Sequence, residues 1–224
     1  MPEDDKKGSS AAPPQAGLVN WEAAAFTPEG IAPEWVEAVR AVPRARFLPS
    51  RIWPFDTASG RHVFVDRDVD PVRWQRAAEA NVPVTVQWDD GRHDGEDGGV
   101  VPSSSASMPS LVLEMLADLG VRPGMTALEI GTGTGWNAGL LAHRLGSVAV
   151  TTVEVDAGVA ERARRALKDT GLTPRVVTGD GSAGWRWWDR RGRPGVGRFG
   201  LTVTRERTTP WLDSPDRPVP VTAV

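Results

Sequence analysis

Three glycines at alternate positions follow directly after a short apolar run that contains an acidic residue. The run is Ala127–Ile130, the acid is Glu129, and the glycines are Gly131, Gly133 and Gly135. Glycine has no Cβ, so the turn lets a ligand lie against bare main chain. An apolar helical pattern begins immediately afterwards, and the unpaired N–H groups of its first turn point at whatever lies above the glycines. This order of strand, glycine turn and helix opens a nucleotide-binding β-α-β unit.

Two further acidic residues follow the next two apolar runs. Residues 148–153 lead into Glu154, which comes 19 residues after Gly135. An acid at the end of a second strand can accept hydrogen bonds from both ribose hydroxyls. A third run, Arg175–Thr178, leads into Gly-Asp-Gly at 179–181 and places another acid at the same sheet edge. Together with the G-x-G-x-G spacing, these acids describe an adenosine site without a diphosphate anchor, which favours S-adenosylmethionine over NAD.

Composition limits the function classes. The chain of 224 residues can hold one domain with a core, or a domain plus an arm. A net charge of -3 gives no support to a nucleic-acid partner. The chain has no apolar run near 18 residues and no signal-peptide pattern, so we expect no membrane partner and a cytoplasmic location. Zero cysteines exclude disulfides, a thiolate nucleophile and a cysteine zinc site.

The sequence of the N-terminal half predicts a tail followed by an extension. Residues 1–18 are charged and then rich in Ser, Ala and Pro, which predicts a disordered tail. Residues 19–106 predict a helical extension on the substrate side, because helix starts with proline in the first turn occur at Pro33 and Pro71. Alternating apolar residues predict one short strand at 82–88.

One acid-rich stretch contains residue types that bind metal ions in other proteins. Residues 89–99 contain five acids and one histidine. Their glycine spacing does not match a calcium-binding loop, and no second histidine is near. The stretch predicts a solvated loop, and no metal site is expected.

Residues 107–182 predict the nucleotide-binding core. A helix begins at Pro109 and ends at Gly120, and Asp156 caps another helix that follows the second strand. Residues 183–224 predict a C-terminal tail, where residues 199–204 could form one strand and four prolines after 209 exclude a long helix.

Five ordered motifs resemble the protein-L-isoaspartate O-methyltransferase family. The resemblance covers about residues 40 to 181. Its motifs are Val42-Pro43-Arg44 with Arg46-Phe47-Leu48-Pro49, Ser107-Met108-Pro109, the segment 128–138 with Trp136 where tyrosine is usual, Val153-Glu154-Val155-Asp156, and Thr178-Gly179-Asp180-Gly181.

The resemblance implies an α/β class I methyltransferase fold with a Rossmann-like sheet. It also implies S-adenosylmethionine as cofactor and methylation of a peptide or protein carboxylate, on an L-isoaspartyl or aspartyl residue. By position, the implied cofactor-binding residues are Glu129, Gly131, Thr132, Gly133, Gly135, Glu154, Val155, Gly179, Asp180 and Gly181. Ser107 matches the family serine beside the reacting carboxylate, which implies a catalytic role. The alternative is that Ser107 only caps the helix entered at Pro109.

Methyl transfer from a sulfonium needs little acid–base chemistry, because a carboxylate is already ionised at pH 7. The main requirement is alignment of nucleophile, methyl group and sulfur. No catalytic triad is therefore expected.

The chain departs from the family pattern directly after Gly181. A methyltransferase of this class has about seven strands, whereas this sequence predicts three by that point, so we expect an incomplete sheet. The C-terminal tail resembles the far end of longer bacterial members that are associated with modification of ribosomally made peptides. The hypothesis is therefore a long member that lacks its middle. Three functions remain open, namely an active carboxyl methyltransferase, a degenerate homologue that serves as a binding or partner module, and, less favoured, an NAD-dependent oxidoreductase.

Overall fold

The computed structural model describes Phe26, residues 31–181, and two strands at 199–203 and 208–212. The described helices are α1 (Pro33–Ala41), α2 (Pro71–Glu79), α3 (Pro109–Leu119), α4 (Trp136–Leu145) and α5 (Ala157–Asp169). The described strands are β1 (Arg51–Asp56), β2 (Arg61–His62), β3 (Val65–Asp66), β4 (Val84–Trp88), β5 (Pro102–Ala106), β6 (Ala127–Ile130), β7 (Val150–Glu154), β8 (Arg175–Thr178), β9 (Phe199–Val203) and β10 (Thr208–Leu212).

The extension combines two helices with an antiparallel sheet. The helix starts predicted at Pro33 and Pro71 are confirmed, and the Asp70 side chain caps α2 by accepting from the Arg73 N–H. The sheet has the order β2-β1-β4-β5, with β3 also paired to β1. Alternation in the sequence identified only β4 of these five strands. The extension is therefore less helical than predicted, and α2 packs on the sheet in a core of its own, around Trp74 and Ile52.

The second half of the described chain contains the predicted three-stranded parallel sheet. Its order is β6-β7-β8, and the pairing begins with Ala127 opposite Val150 and Thr151 opposite Arg175. The predicted Asp156 cap is confirmed, because its carboxylate accepts from the N–H groups of Gly158 and Val159. Helices α3, α4 and α5 share one hydrophobic cluster with α1. The first helix of the extension thus packs with the helices of the core.

Within the described residues, β6 and β8 are the edges of this parallel sheet. On β6, Leu128 is 42% exposed and Ile130 is 57% exposed, although strands of parallel sheets are normally covered on both faces. Strands β9 and β10 pair antiparallel with each other. The described part of the chain therefore carries three parallel strands, as the sequence predicts. Residues 1–18 and most of 183–224 lie outside the described residues.

Arg44 joins separate segments of the extension. It lies in a 3-10 turn (Arg44–Phe47), and its guanidinium donates to four main-chain carbonyls, those of Ala78 (3.4 Å), Ala80 (3.2 Å), Val82 (3.0 Å) and Ala106 (2.9 Å). Burial lowers the pKa of Arg44 to about 9, which leaves it charged at pH 7. Trp136, at the start of α4, donates from Nε1 to the Val42 carbonyl at 2.9 Å. The Trp136 bond holds the extension against the helix that follows the glycine turn, whereas the Arg44 bonds lie within the extension.

No helix in the described ranges is long and apolar enough to cross a membrane.

Candidate functional site

The glycine turn has a backbone shape that other residues rarely adopt. Gly131, Gly133 and Gly135 have φ values of 88°, 54° and 90°. At Gly135 a Cβ would also lie 3.1 Å from the Cβ of Ala163 on α5. The N–H groups of Gly131 and Thr132 both donate to the Val153 carbonyl, so the turn folds over the end of β7. Glycine is therefore required at Gly135 by both φ and packing.

Glu129 is a partly buried carboxylate beneath this turn. It accepts from Asn137 Nδ2 at 2.6 Å and from Thr152 Oγ1 at 2.6 Å. Burial raises the pKa of Glu129, while these two hydrogen bonds oppose the rise and the nearby Glu154 adds to it. The Thr132 hydroxyl is also turned inward, 2.7 Å from Thr152 Oγ1. Glu129 and Thr132 thus support the turn from below, and the main chain of the turn is what a ligand would meet.

Glu154 lies at the end of β7 and contacts the glycine turn. Its Oε2 accepts from the Gly133 N–H at 2.9 Å, and its Oε1 accepts from the Asp156 N–H at 3.2 Å. Its carbonyl accepts from the Gly179 N–H at 2.8 Å. The ends of all three parallel strands are therefore joined around Glu154.

The remaining predicted cofactor residues surround this cluster. Val155 is 72% exposed, and Asp180 is exposed beyond β8. Gly181 packs against Ile130, because a Cβ there would come 2.6 Å from Ile130 Cγ2. The loop after β8 thus crosses back toward β6, and the structure brings the three predicted groups of residues to one edge of the sheet.

Ser107 follows β5 and precedes α3, and it is exposed. The alternative that Ser107 caps the helix is wrong, because the N-cap residue is Met108. In the first turn, the Ser110 N–H donates to Asn81 Oδ1 at 3.0 Å. The chain just before Ser107 passes the glycine turn, since a Cβ at Gly133 would lie 3.5 Å from the Ser105 carbonyl oxygen. The serine therefore lies close in sequence to a contact with the turn.

The sequence assigned no site role to several residues that hold the site together. Gln87, on β4, donates from Nε2 to Asp156 Oδ2 at 2.9 Å and so links the extension to the cap of α5. This bond is the largest cause that lowers the pKa of Asp156, followed by the Val159 N–H. Asn137 and Thr152 hold Glu129. Asn137 lies within the motif at residues 128–138, but the spacing of apolar residues in the sequence does not indicate Gln87 or Thr152.

The geometry leaves room for a ligand above the turn. A Cβ placed at Gly131 or at Gly179 would meet no heavy atom within 4 Å, so open space lies over the first and third strand ends. The site offers bare main chain at the turn, one carboxylate at the end of the second strand and another at the end of the third. This combination suits an adenosine that carries no diphosphate. The fold is a Rossmann-like sheet, and the residues at its edge fit S-adenosylmethionine.

Comparison with known proteins narrows the class. The family model for Protein-L-isoaspartate(D-aspartate) O-methyltransferase matches residues 61–188, more than half of the chain. The chain belongs to this family. A Protein-L-isoaspartate O-methyltransferase of Methylorubrum extorquens is 31% identical over 150 residues, which are 67% of this chain and 49% of the relative. One of Pyrococcus horikoshii is 36% identical over 94 residues, 42% of each chain.

A solved protein-L-isoaspartate O-methyltransferase aligns with a TM-score of 0.49 and 25% identity, over 69% of this chain and 39% of that one. The chain thus spans half or less of the length of these relatives.

Proposed function

We propose that this protein binds S-adenosylmethionine at the glycine turn and transfers its methyl group to a carboxylate of a peptide or protein. The observation that carries the proposal is the joining of three strand ends around Glu154, with a glycine turn that leaves main chain exposed. Membership of the family supports the same reaction class. We further propose an L-isoaspartyl residue as acceptor, with aspartyl as the variant to be tested beside it.

The cofactor would supply a methyl group bound to a positively charged sulfur. In this proposal the turn from Gly131 to Gly135 binds the methionine end, with Glu129 fixing the turn from below. Glu154 accepts from the ribose hydroxyls, for which one of its oxygens exchanges its present main-chain partner, and Asp180 faces the adenine. The methyl acceptor is ionised at pH 7, so these residues act by positioning rather than by proton transfer.

Ser107 would donate a hydrogen bond to the acceptor carboxylate or to the adjoining peptide group. Its exposure leaves the hydroxyl available to a substrate, and it follows a segment that contacts Gly133. A lost hydrogen bond of about 1.4 kcal/mol corresponds to about a tenfold lower kcat/KM.

The experiment is transfer of radiolabelled methyl from S-adenosylmethionine to two peptides that differ only in isoaspartyl or aspartyl linkage. We expect labelling of the isoaspartyl peptide, about tenfold slower with Ser107→Ala. Ser105→Ala, an exposed serine two residues earlier, is the matched control and retains the wild-type rate. Folded protein that binds S-adenosylhomocysteine yet labels neither peptide would refute the activity and favour a binding module.

A further inference from the structure

A cavity of about 170 Å³ lies between the extension and the core, beside the glycine turn. We call it the arginine cleft. Its walls come from the 3-10 turn, β4, β5, the glycine turn and α5, and they include Arg46, Ser104, Thr134, Val159, Arg162 and Arg165. Glu129, Glu154 and Asp180 do not line it. The cleft therefore borders the proposed cofactor site without sharing its acidic residues.

The charged residues that line the cleft are all positive. Three arginines line it, Arg46 from the 3-10 turn and Arg162 and Arg165 from α5, and no lining residue is acidic. All three are exposed, so their guanidinium groups are accessible from solvent. Arg162 also lies near the Asp156 carboxylate and helps to lower its pKa. Like charges three residues apart on a helix repel, and an anion between them would relieve that repulsion.

A second observation comes from Ser104. Its Oγ is buried and has no hydrogen-bond partner within the described part of the chain. A buried hydroxyl without a partner is unfavourable. Apolar side chains of Phe47, Leu48 and Val159 form the rest of the wall near it. A ligand oxygen in the cleft would give this hydroxyl a partner, while its aliphatic part would contact the apolar wall.

The size of the cleft restricts the ligand. Pockets for complete small molecules usually hold about 300–1,000 Å³, so a cleft of about 170 Å³ suits one short side chain. Guanidinium groups recognise planar carboxylates through paired hydrogen bonds. The position beside the turn places such a group near the proposed methyl donor.

We propose that the arginine cleft binds the carboxylate of an acidic side chain that neighbours the methylated residue in the peptide substrate. The identity of the ligand as a peptide rests on the proposed function. The anion preference rests on the cleft itself. The cleft is then a specificity site, and peptides with a glutamate at the matching position bind more tightly than their glutamine counterparts.

The test uses fluorescence anisotropy of dye-labelled isoaspartyl peptides with the full chain and S-adenosylhomocysteine. Glutamate is placed at each of the flanking positions in turn, and each peptide is paired with its glutamine counterpart. At one position we expect the glutamate peptide to bind about tenfold more tightly, the effect of a charge-assisted hydrogen bond pair. The Arg162→Gln/Arg165→Gln variant is expected to lose this preference, and Ser104→Ala to reduce it. Arg122→Gln, an exposed arginine away from the cleft, is expected to keep it.

Equal binding of glutamate and glutamine peptides at every position by the wild type would overturn the assignment. The assignment would also be overturned if millimolar inorganic phosphate abolished the glutamate preference for every peptide, since the cleft would then bind free anions. Methyl transfer without a charge preference would leave the proposed function standing and remove the subsite. A charge preference without methyl transfer would leave the subsite standing and remove the proposed function.

Discussion

Replacing Arg44 by methionine tests the contacts that hold the segments of the extension together. Arg44 is 6% exposed, and its guanidinium donates to four main-chain carbonyls from two segments of the extension. Methionine retains much of the aliphatic volume but offers no donor. Four carbonyls would be left without this partner at a site that water does not reach.

The size of the effect follows from these four bonds. An orphaned buried carbonyl costs about 1–3 kcal/mol, so even the lower bound gives about 4 kcal/mol for the set. Removing a buried charge offsets part of this loss, because the guanidinium no longer has to be desolvated. We therefore expect Arg44→Met to lower the free energy of unfolding by about 2–4 kcal/mol. For a chain of this length that corresponds to about 5–15 °C in Tm.

The assay is urea unfolding followed by far-UV circular dichroism, with Tm from calorimetry. Arg46→Met is the matched control, because Arg46 lies in the same 3-10 turn and is exposed. It should change stability by less than about 0.5 kcal/mol. If Arg44→Met unfolded at the same urea concentration as Arg46→Met, the four carbonyl contacts would not stabilise the fold, and the reasoning would be refuted.

Two further predictions concern the glycine turn and the carboxylate beneath it. Gly135→Ala and Gly124→Ala both place alanine at a φ of 90°, but only Gly135 has Ala163 within 3.1 Å of the new Cβ, whereas Gly124 has no atom within 4 Å. We expect Gly124→Ala to lower the free energy of unfolding by about 1–2 kcal/mol from φ alone, and Gly135→Ala to lower it by about 1 kcal/mol more. Urea unfolding measures both losses. Equal losses would contradict the packing argument. Thr152→Val removes a donor that holds down the raised pKa of Glu129. A raised acid pKa means that the stability contribution of Glu129 is fully present below its unfolded value of about 4.5 and falls as pH rises through the folded value. The variant should therefore lose about 1–3 kcal/mol more at pH 7 than at pH 4.5, and a loss independent of pH would count against a buried, ionised Glu129.

The core of the site was predictable because its signals are local. The strand, glycine turn and helix are adjacent in sequence, and the caps at Asp156 and Gly120 mark their helices within one turn. Parallel strands place their carboxyl ends at one edge, so the acids after the second and third strands were expected to meet there. The structure confirms that the three strands lie in one parallel sheet.

The sheet of the extension was missed for a physical reason. Strand β1 contains Pro54 and an unbroken set of three buried residues, so it shows no alternation. Strand β5 is mostly serine and becomes a strand by pairing with β4 rather than by its own burial pattern. Such strands depend on their neighbours, which a single sequence does not reveal.

The tertiary hydrogen bonds were equally beyond local patterns. Arg44 bonds carbonyls 34 to 62 residues away, and Gln87 reaches Asp156 across 69 residues. The segment around Arg44 belongs to one of the motifs that resemble the family, but the role of the guanidinium follows only from the fold.

The most direct test of the account is calorimetric titration of the full chain with S-adenosylhomocysteine. The account predicts saturable one-site binding by the wild type and none of NADH. Glu154→Gln keeps the shape of the side chain but weakens acceptance from the ribose, and should bind at least about tenfold less tightly. Glu114→Gln, an exposed acid on α3, should bind as the wild type does. No binding heat from a folded wild-type chain, or equal affinity for the wild type and Glu154→Gln, would contradict the proposed cofactor site.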